Sequence, residues 1–276
     1  MKSFFTLCGR AARLWVRSEA DQHAAALAYF TPFALTPLII VSISIVGMAY
    51  GVDRITSMLL SWGNAIDPAV THLIYNSVQN FDTIQTHYYL PIIGFAFLSV
   101  MIIIALNSLS LGLHKLWSVD ARGWSNYFGR FFRILFFVVI LQLYLVGMIL
   151  VADAFSFVTY LTNWTIWPFV TFFVSFVSTM LLLALAYGIL VQHAPSFIAR
   201  FVGASMAGLL LLFSRELVAL HFATAPVQTL FGAAGLLIVL LVWVYVVACL
   251  VLYGAAFAYV YDEARRARRQ VGVIRK

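Results

Sequence analysis

Residues 131–152 read FFRILFFVVILQLYLVGMILVA. One charge, Arg133, and one amide, Gln142, interrupt an otherwise apolar run. As a helix rising ~1.5 Å per residue, the run reaches ~33 Å, enough to cross a hydrocarbon core of ~30 Å. Five further stretches have the same character, at about residues 24–50, 89–113, 166–191, 197–220 and 231–261. The expected fold is all-α: a polytopic membrane protein with six transmembrane helices plus amphipathic surface helices.

Composition agrees. Of 276 residues, 63% are hydrophobic and 10% are charged, with a mean hydropathy of +0.98. A soluble domain runs nearer half apolar and a quarter charged. A soluble globular enzyme, a disordered chain and a disulfide scaffold are excluded. Short loops leave no room for a separate soluble domain. The expected layout is an amphipathic N-terminal segment at 1–22 and one membrane domain at 23–261 with an insertion at 53–87, then a basic tail at 262–276.

The positive charges set the expected orientation. Lys2, Arg10, Arg13 and Arg17 precede the first span. Lys115, Arg122, Arg130 and Arg133 follow the second span, and Arg200 follows the fourth. Arg265, Arg266, Arg268, Arg269, Arg275 and Lys276 follow the sixth. These 15 of 17 basic residues share one side of a six-span chain. Arg54 lies opposite and Arg215 within the membrane. Such asymmetry places both termini in the cytoplasm. The basic run at 265–269 directly follows a span and lacks interleaved aromatics, so it reads as a contact for anionic lipid headgroups rather than for nucleic acid.

The N-terminal segment has a helical period. Phe4, Leu7, Ala11, Leu14, Trp15 and Ser18 fall on one side, and Ser3, Thr6, Arg10, Arg13 and Arg17 on the other. The pattern fits a helix in the headgroup layer, with Arg10, Arg13 and Arg17 on phosphates. It fits equally a helix packed on the bundle. In the insertion, Ile55, Met58, Leu59 and Trp62 make one apolar stripe, and Val70, Leu73, Ile74, Val78 and Phe81 another. Two short surface-lying helices are expected there.

Polar residues inside the spans are the candidate sites, since burying them in lipid is costly. Arg215 and Glu216 sit in the fifth span, ~22 Å beyond Arg200 at helical rise. Asp153 ends the third span at that depth and is the expected partner of Arg215. The pair reads either as a lock between helices or as a polar site for a lipid phosphate. Asn107, Ser108 and Gln142 read as hydrogen-bonding glue between helices, or as further lining of that site. Pro32 and Pro37 each remove a backbone donor from the first span and are expected to bend or break it, which makes them hinge candidates. Asp21 is the expected N-cap of that span. In the fifth span, the small pairs Gly203 with Ala207 and Ala204 with Gly208 permit close helix approach.

Recognisable catalytic chemistry is not found in the sequence. Six histidines are scattered, no HExxH, CxxC or phosphate-cradling glycine loop occurs, and no carboxylate cluster suits a pair of metal ions. No cofactor and no metal are expected, and the chain is not expected to be an enzyme.

Three motifs then resemble one family. The first is Asp21 with Leu27-Ala28-Tyr29-Phe30 and Leu35-Thr36-Pro37-Leu38. The second runs from Ala105-Leu106-Asn107 through His114-Lys115-Leu116-Trp117 to Arg122 and Tyr127. The third is Leu230-Phe231-Gly232 through Leu241-Val242-Trp243-Val244-Tyr245 to Gly254-Ala255. Together they resemble the YihY/BrkB family of bacterial inner-membrane proteins, once labelled ribonuclease BN-like. The resemblance implies six spans in the bacterial cytoplasmic membrane, and links to serum resistance and envelope lipid traffic. Departures are Ala256 where the family carries an acidic residue, Phe231 in place of a tyrosine, and the order Arg215-Glu216. The leading expectation is a non-enzymatic protein assisting lipid or amphiphile transport in the envelope. The alternatives are a scaffold that holds an envelope protein partner through residues 53–87 and, behind it, a membrane hydrolase or nuclease. Oligomeric state is left open. If Arg215 meets Asp153, reversing both charges restores folded yield lost by reversing either one. Yield that stays lost in the double reversal contradicts the pairing.

Overall fold

The computed structural model describes residues 2–50, 89–117, 124–162, 167–191, 194–224 and 227–274. Within helices, several side-chain stretches, among them 89–98, 152–162, 215–224 and 227–239, lie outside that description. Among the described residues the chain is helical throughout. The helices are α1 (Lys2–Arg17), α2 (Ala20–Tyr50), α3 (Tyr89–Leu116), α4 (Trp124–Thr162), α5 (Trp167–Ile189), α6 (Phe197–Thr224) and α7 (Val227–Ile274). Five carry segments long and apolar enough to cross a membrane: Ser99–Leu116, Phe128–Val151, Phe172–Ile189, Phe197–Ser214 and Leu240–Arg268. α2, with 31 residues and no Lys, Arg, Asp or Glu after Asp21, has the length for a sixth crossing.

The helix surfaces show what solvent they expect. On α4, Phe128, Phe132, Phe136 and Val139 recur at helical spacing and are 53–63% exposed. Phe169, Phe172 and Phe173 of α5 and Phe213 of α6 are likewise exposed. Apolar faces this continuous are foreign to water-soluble monomers but suit lipid tails.

The described residues form two compact units, one of residues 1–32, 103–139 and 163–276, the other of residues 33–102 and 140–162. In the first unit α7 packs on α6 and α1, and α6 on α5. The α6–α7 contact is backbone to backbone. A Cβ on Gly254 would lie 2.5 Å from the Ala207 Cβ and 2.7 Å from the Gly203 carbonyl. A Cβ on Gly203 would lie 2.5 Å from both the Ala258 Cβ and the Gly254 carbonyl. Each helix therefore presents a small residue four positions after its glycine, Ala207 on α6 and Ala258 on α7. Close approach through such pairs drives helix association where no hydrophobic effect operates. Gly208 of the second small pair faces elsewhere, with Phe176 of α5 3.2 Å from its would-be Cβ.

α3 and α5 are pinned around this joint by buried polar groups. The Tyr187 hydroxyl of α5 donates to the Val251 carbonyl of α7 at 2.5 Å. The Trp117 indole, after α3, donates to the Ala255 carbonyl at 3.0 Å and meets the Tyr187 ring edge-on. Ser110 of α3 donates to the Leu190 carbonyl at 2.9 Å, which supplies a partner at the end of α5, where helix carbonyls lack one. Leu113, Leu116, Leu190 and Leu252 fill the space between, with no exposed surface.

In the second unit, Gln142 of α4 donates to the Ser42 hydroxyl of α2 at 2.7 Å, and Ser42 donates to the Leu38 carbonyl. α2 runs unbroken through Pro32 and Pro37, and Pro37 is fully buried. Removing two donors from a 31-residue helix leaves the remaining hydrogen bonds to carry it. Asp21 is not the N-cap, because α2 already begins at Ala20 and Asp21 sits in its first turn. There its carboxylate still complements the helix dipole.

Valine at Gly203 or Gly254 is expected to destabilise the protein by about 1–3 kcal/mol each through overpacking. Gly147, whose Cβ would meet nothing within 4 Å, is the control, and alanine there is expected to be neutral or mildly stabilising. Unfolding in mixed detergent micelles measures both.

Candidate functional site

A cluster of charged groups lies where α1 meets residues 253–263 of α7. α1 is aimed by its joint with α2. The amide of Ser18 donates to the Leu14 carbonyl at 3.0 Å, and Glu19 takes a left-handed conformation with φ 49°. A side chain there is strained, and glycine is the residue that tolerates it. Lys115 of α3 grips the Glu19 carboxylate. That hydrogen bond and charge hold the carboxyl below the ordinary glutamate range. The pair's contribution is therefore complete above that range and is lost as pH falls through the lowered value.

Of the two readings of α1 from its period, packing on the bundle is seen directly, in its contact with α7. Ala11 is fully buried, α1 packs on α7, and the Tyr253 hydroxyl donates to the Cys8 carbonyl at 3.3 Å. Yet Phe5 and Val16 stay 70% and 66% exposed beside the arginines. α1 is thus packed on the bundle by one edge and presents large apolar residues on its outer surface.

Between α1 and α7 lies a cleft of about 780 Å³ lined by Arg10, Ala12, Arg13, Leu14, Val16 and Arg17 and by Tyr259, Val260 and Glu263. Arg10 pairs with Glu263 at 2.8 Å, both side chains about half exposed. Arg13 turns its Nε onto the Gly9 carbonyl at 3.4 Å. Arg17 makes no hydrogen bond or ion pair among the described residues. Immediately before Glu263, Asp262 is buried, accepts from the Ser196 hydroxyl and pairs with Arg266 at 2.8 Å. Ser196 immediately precedes α6, so this carboxylate sits where the helix dipole favours a negative charge.

Of the basic residues expected at headgroups, Arg10, Arg13 and Arg17 are brought together in this cleft. Arg265, Arg266 and Arg268 lie on α7, which continues as helix to Ile274 instead of ending in a tail. The side chain of Arg269 lies outside the described residues, as do those of Asp153, Arg215 and Glu216 and the whole 53–87 insertion. The intramembrane site and the scaffold surface therefore rest on sequence alone. Asn107 is half-buried on α3, and its neighbour Ser108 reaches the His23 carbonyl of α2 at 3.5 Å. Gln142 is engaged by Ser42, the behaviour of helix glue. Among the described residues, no three His, Cys, Asp or Glu side chains group as metal ligands would. Tyr259 and Glu263 had no sequence reading as site residues. Their signal was positional: one helical turn apart, they sit at the end of the final apolar run, just before the basic run at 265–269.

The motif that runs through His114-Lys115-Leu116-Trp117 now has a physical content, because His114, Leu116 and Trp117 are buried, Trp117 on α7, while Lys115 clasps Glu19 at the α1–α2 joint. A family model described as Virulence factor BrkB matches residues 11–272. The chain belongs to the BrkB family. A "UPF0761 membrane protein" of Alcanivorax borkumensis is 25% identical over 281 residues, covering 98% of this chain and 63% of that protein. One from Idiomarina loihiensis is 25% identical over 182 residues, covering 62% of this chain and 61% of its own length. One from Aggregatibacter aphrophilus is 24% identical over 254 residues, with coverage of 90% and 89%. The chain thus spans under two thirds of the first two relatives and most of the third. None of the three is named for an enzymatic activity. No solved structure matches the chain.

In this BrkB-family chain Ala256 is fully buried in α7. The α1–α2 joint offers a direct check on backbone strain. Glu19→Gly and Glu19→Ala both delete the carboxylate that Lys115 holds, so they differ in tolerance of positive φ set against glycine's larger unfolded-state entropy, which is outweighed where φ is positive. The glycine variant is expected to melt at the higher temperature; equal melting contradicts a left-handed residue 19.

Proposed function

We propose that this BrkB-family protein spans the bacterial cytoplasmic membrane with both termini in the cytoplasm, and assists the movement of lipids or other amphiphiles within or across the envelope. The observation that carries the reading is α1: an arginine face on an open cleft, beside exposed Phe5 and Val16, on a helix clasped to the final span. That combination suits the headgroup layer, where a helix buries its apolar side in acyl chains and keeps its cations at phosphates. The 15 basic residues on that side of the chain favour the cytoplasmic leaflet. Lipids are the partners this reading requires, with no cofactor. Pro32 and Pro37, each lacking a backbone donor within α2, serve as hinges that let the spans adjust as an amphiphile passes.

Purified protein reconstituted into vesicles with fluorescent phospholipids tests the reading. Lipid transfer at least tenfold faster than in protein-free vesicles is expected for at least one lipid class. Equal rates across several classes contradict it.

A further inference from the structure

We propose that the α1–α7 cleft binds the phosphate ester of an anionic lipid headgroup, and that Glu263 is the built-in competitor such a headgroup displaces. The inference rests on the functional reading above and assigns that surface its ligand.

The charge arrangement carries it. Arg10, Arg13 and Arg17 recur at i, i+3 and i+7, which at 100° per residue places them within a sector of ~60° on α1. Three guanidinium groups and one carboxylate line the cleft, so its lining holds a charge of 3 − 1 = +2. A phosphodiester brings one negative charge and leaves the cleft mildly positive. A guanidinium fork meets two phosphate oxygens at once. Arg17 has no hydrogen-bond or ion-pair partner among the described residues, and Arg13 spends only its Nε, on a long contact of 3.4 Å. Tyr259 belongs to the same lining.

Ligand chemistry follows from what lies beside the cations. Val16, 66% exposed, makes part of the lining. A free phosphate has no use for such a wall, whereas the glycerol and first acyl carbons of a lipid cover it. The cleft volume of about 780 Å³ falls in the range that holds small-molecule groups.

Glu263 gives the proposal its sharpest consequence. Its carboxylate holds Arg10 at 2.8 Å while about half exposed, so it takes the place on that guanidinium that a phosphate would occupy. An exposed pair of this kind contributes little to stability. Removing its charge frees Arg10 and raises the lining to +3, counted as three guanidinium groups and no carboxylate. Were Glu263 only a clasp for α1, its removal would loosen the cleft and weaken any ligand.

Native mass spectrometry of the full chain in detergent, titrated with dioleoyl phosphatidylglycerol, dioleoyl phosphatidylethanolamine or glycerol 3-phosphate, tests this. Wild type is expected to retain phosphatidylglycerol more tightly than phosphatidylethanolamine. The Arg13→Gln/Arg17→Gln variant is expected to lose about tenfold or more in affinity. Arg13→Lys/Arg17→Lys, which keeps the charge and loses the fork, is expected to fall between. Glu263→Gln is expected to bind more tightly than wild type. Unchanged affinity in both arginine variants, or weaker binding in Glu263→Gln, overturns the site. Equal affinity for the two lipids overturns selection for an anion. Glycerol 3-phosphate bound as tightly, with the same arginine dependence, overturns the lipid and leaves a soluble phosphate ester. Retained binding with no vesicle transfer contradicts the functional reading alone, and transfer that survives loss of binding contradicts this site alone.

Discussion

Two glycines bring two helix backbones into contact, and the described part of the first unit is organised around that contact. Gly203 on α6 and Gly254 on α7 each occupy the space a Cβ would need, with Ala207 and Ala258 a turn later as the next small steps. In water the same helices could be driven together by burying leucines. In lipid, tails solvate leucine as well as a neighbouring helix does, so tight packing and polar contacts decide which faces meet. The neighbouring interactions follow from it. Tyr187 reaches the Val251 carbonyl, and its hydroxyl lies 2.9 Å from where a Gly254 side chain would begin. A larger residue at 254 would contest both the helix contact and the tyrosine.

The polar ends of the same helices carry the arrangement out of the hydrocarbon region. α7 carries Tyr259, Asp262 and Glu263 within little more than one turn, and the two carboxylates each meet another element. Asp262 meets Ser196 at the start of α6 and Arg266 on its own helix. Glu263 meets Arg10 of α1. The close helix contact and the arginine cleft are thus parts of one helix, joined by about two turns. That continuity gives the cleft a rigid wall, as a site for a charged headgroup requires.

How much of this was legible in the sequence varies with the kind of information each feature needs. Membrane helices were plain, because a run such as residues 131–152 satisfies a length and composition test by itself. Their ends were less so. Segment three was expected to stop near Ala152, whereas α4 runs from Trp124 to Thr162. Hydrocarbon thickness limits the apolar run, not the helix, which continues wherever its backbone bonds remain possible. The same reason turns the expected tail at 262–276 into the end of α7. Arg10, Arg13 and Arg17 were legible as one face from their period alone. Glu263 was not, since its partner Arg10 lies 253 residues away and a single sequence holds no record of which distant residues meet. The small pair Gly203 and Ala207 signalled close approach, but only the fold identifies Gly254 and Ala258 as its counterpart.

A structure determined by electron microscopy in lipid nanodiscs tests the central constraint most directly. The carbonyls of Gly203 and Gly254 are expected to lie in van der Waals contact with the opposing helix, with no side chain between the two backbones. Helices α6 and α7 held apart at the ordinary interaxial distance of ~8–10 Å, with side chains interleaved at residues 203 and 254, would contradict it.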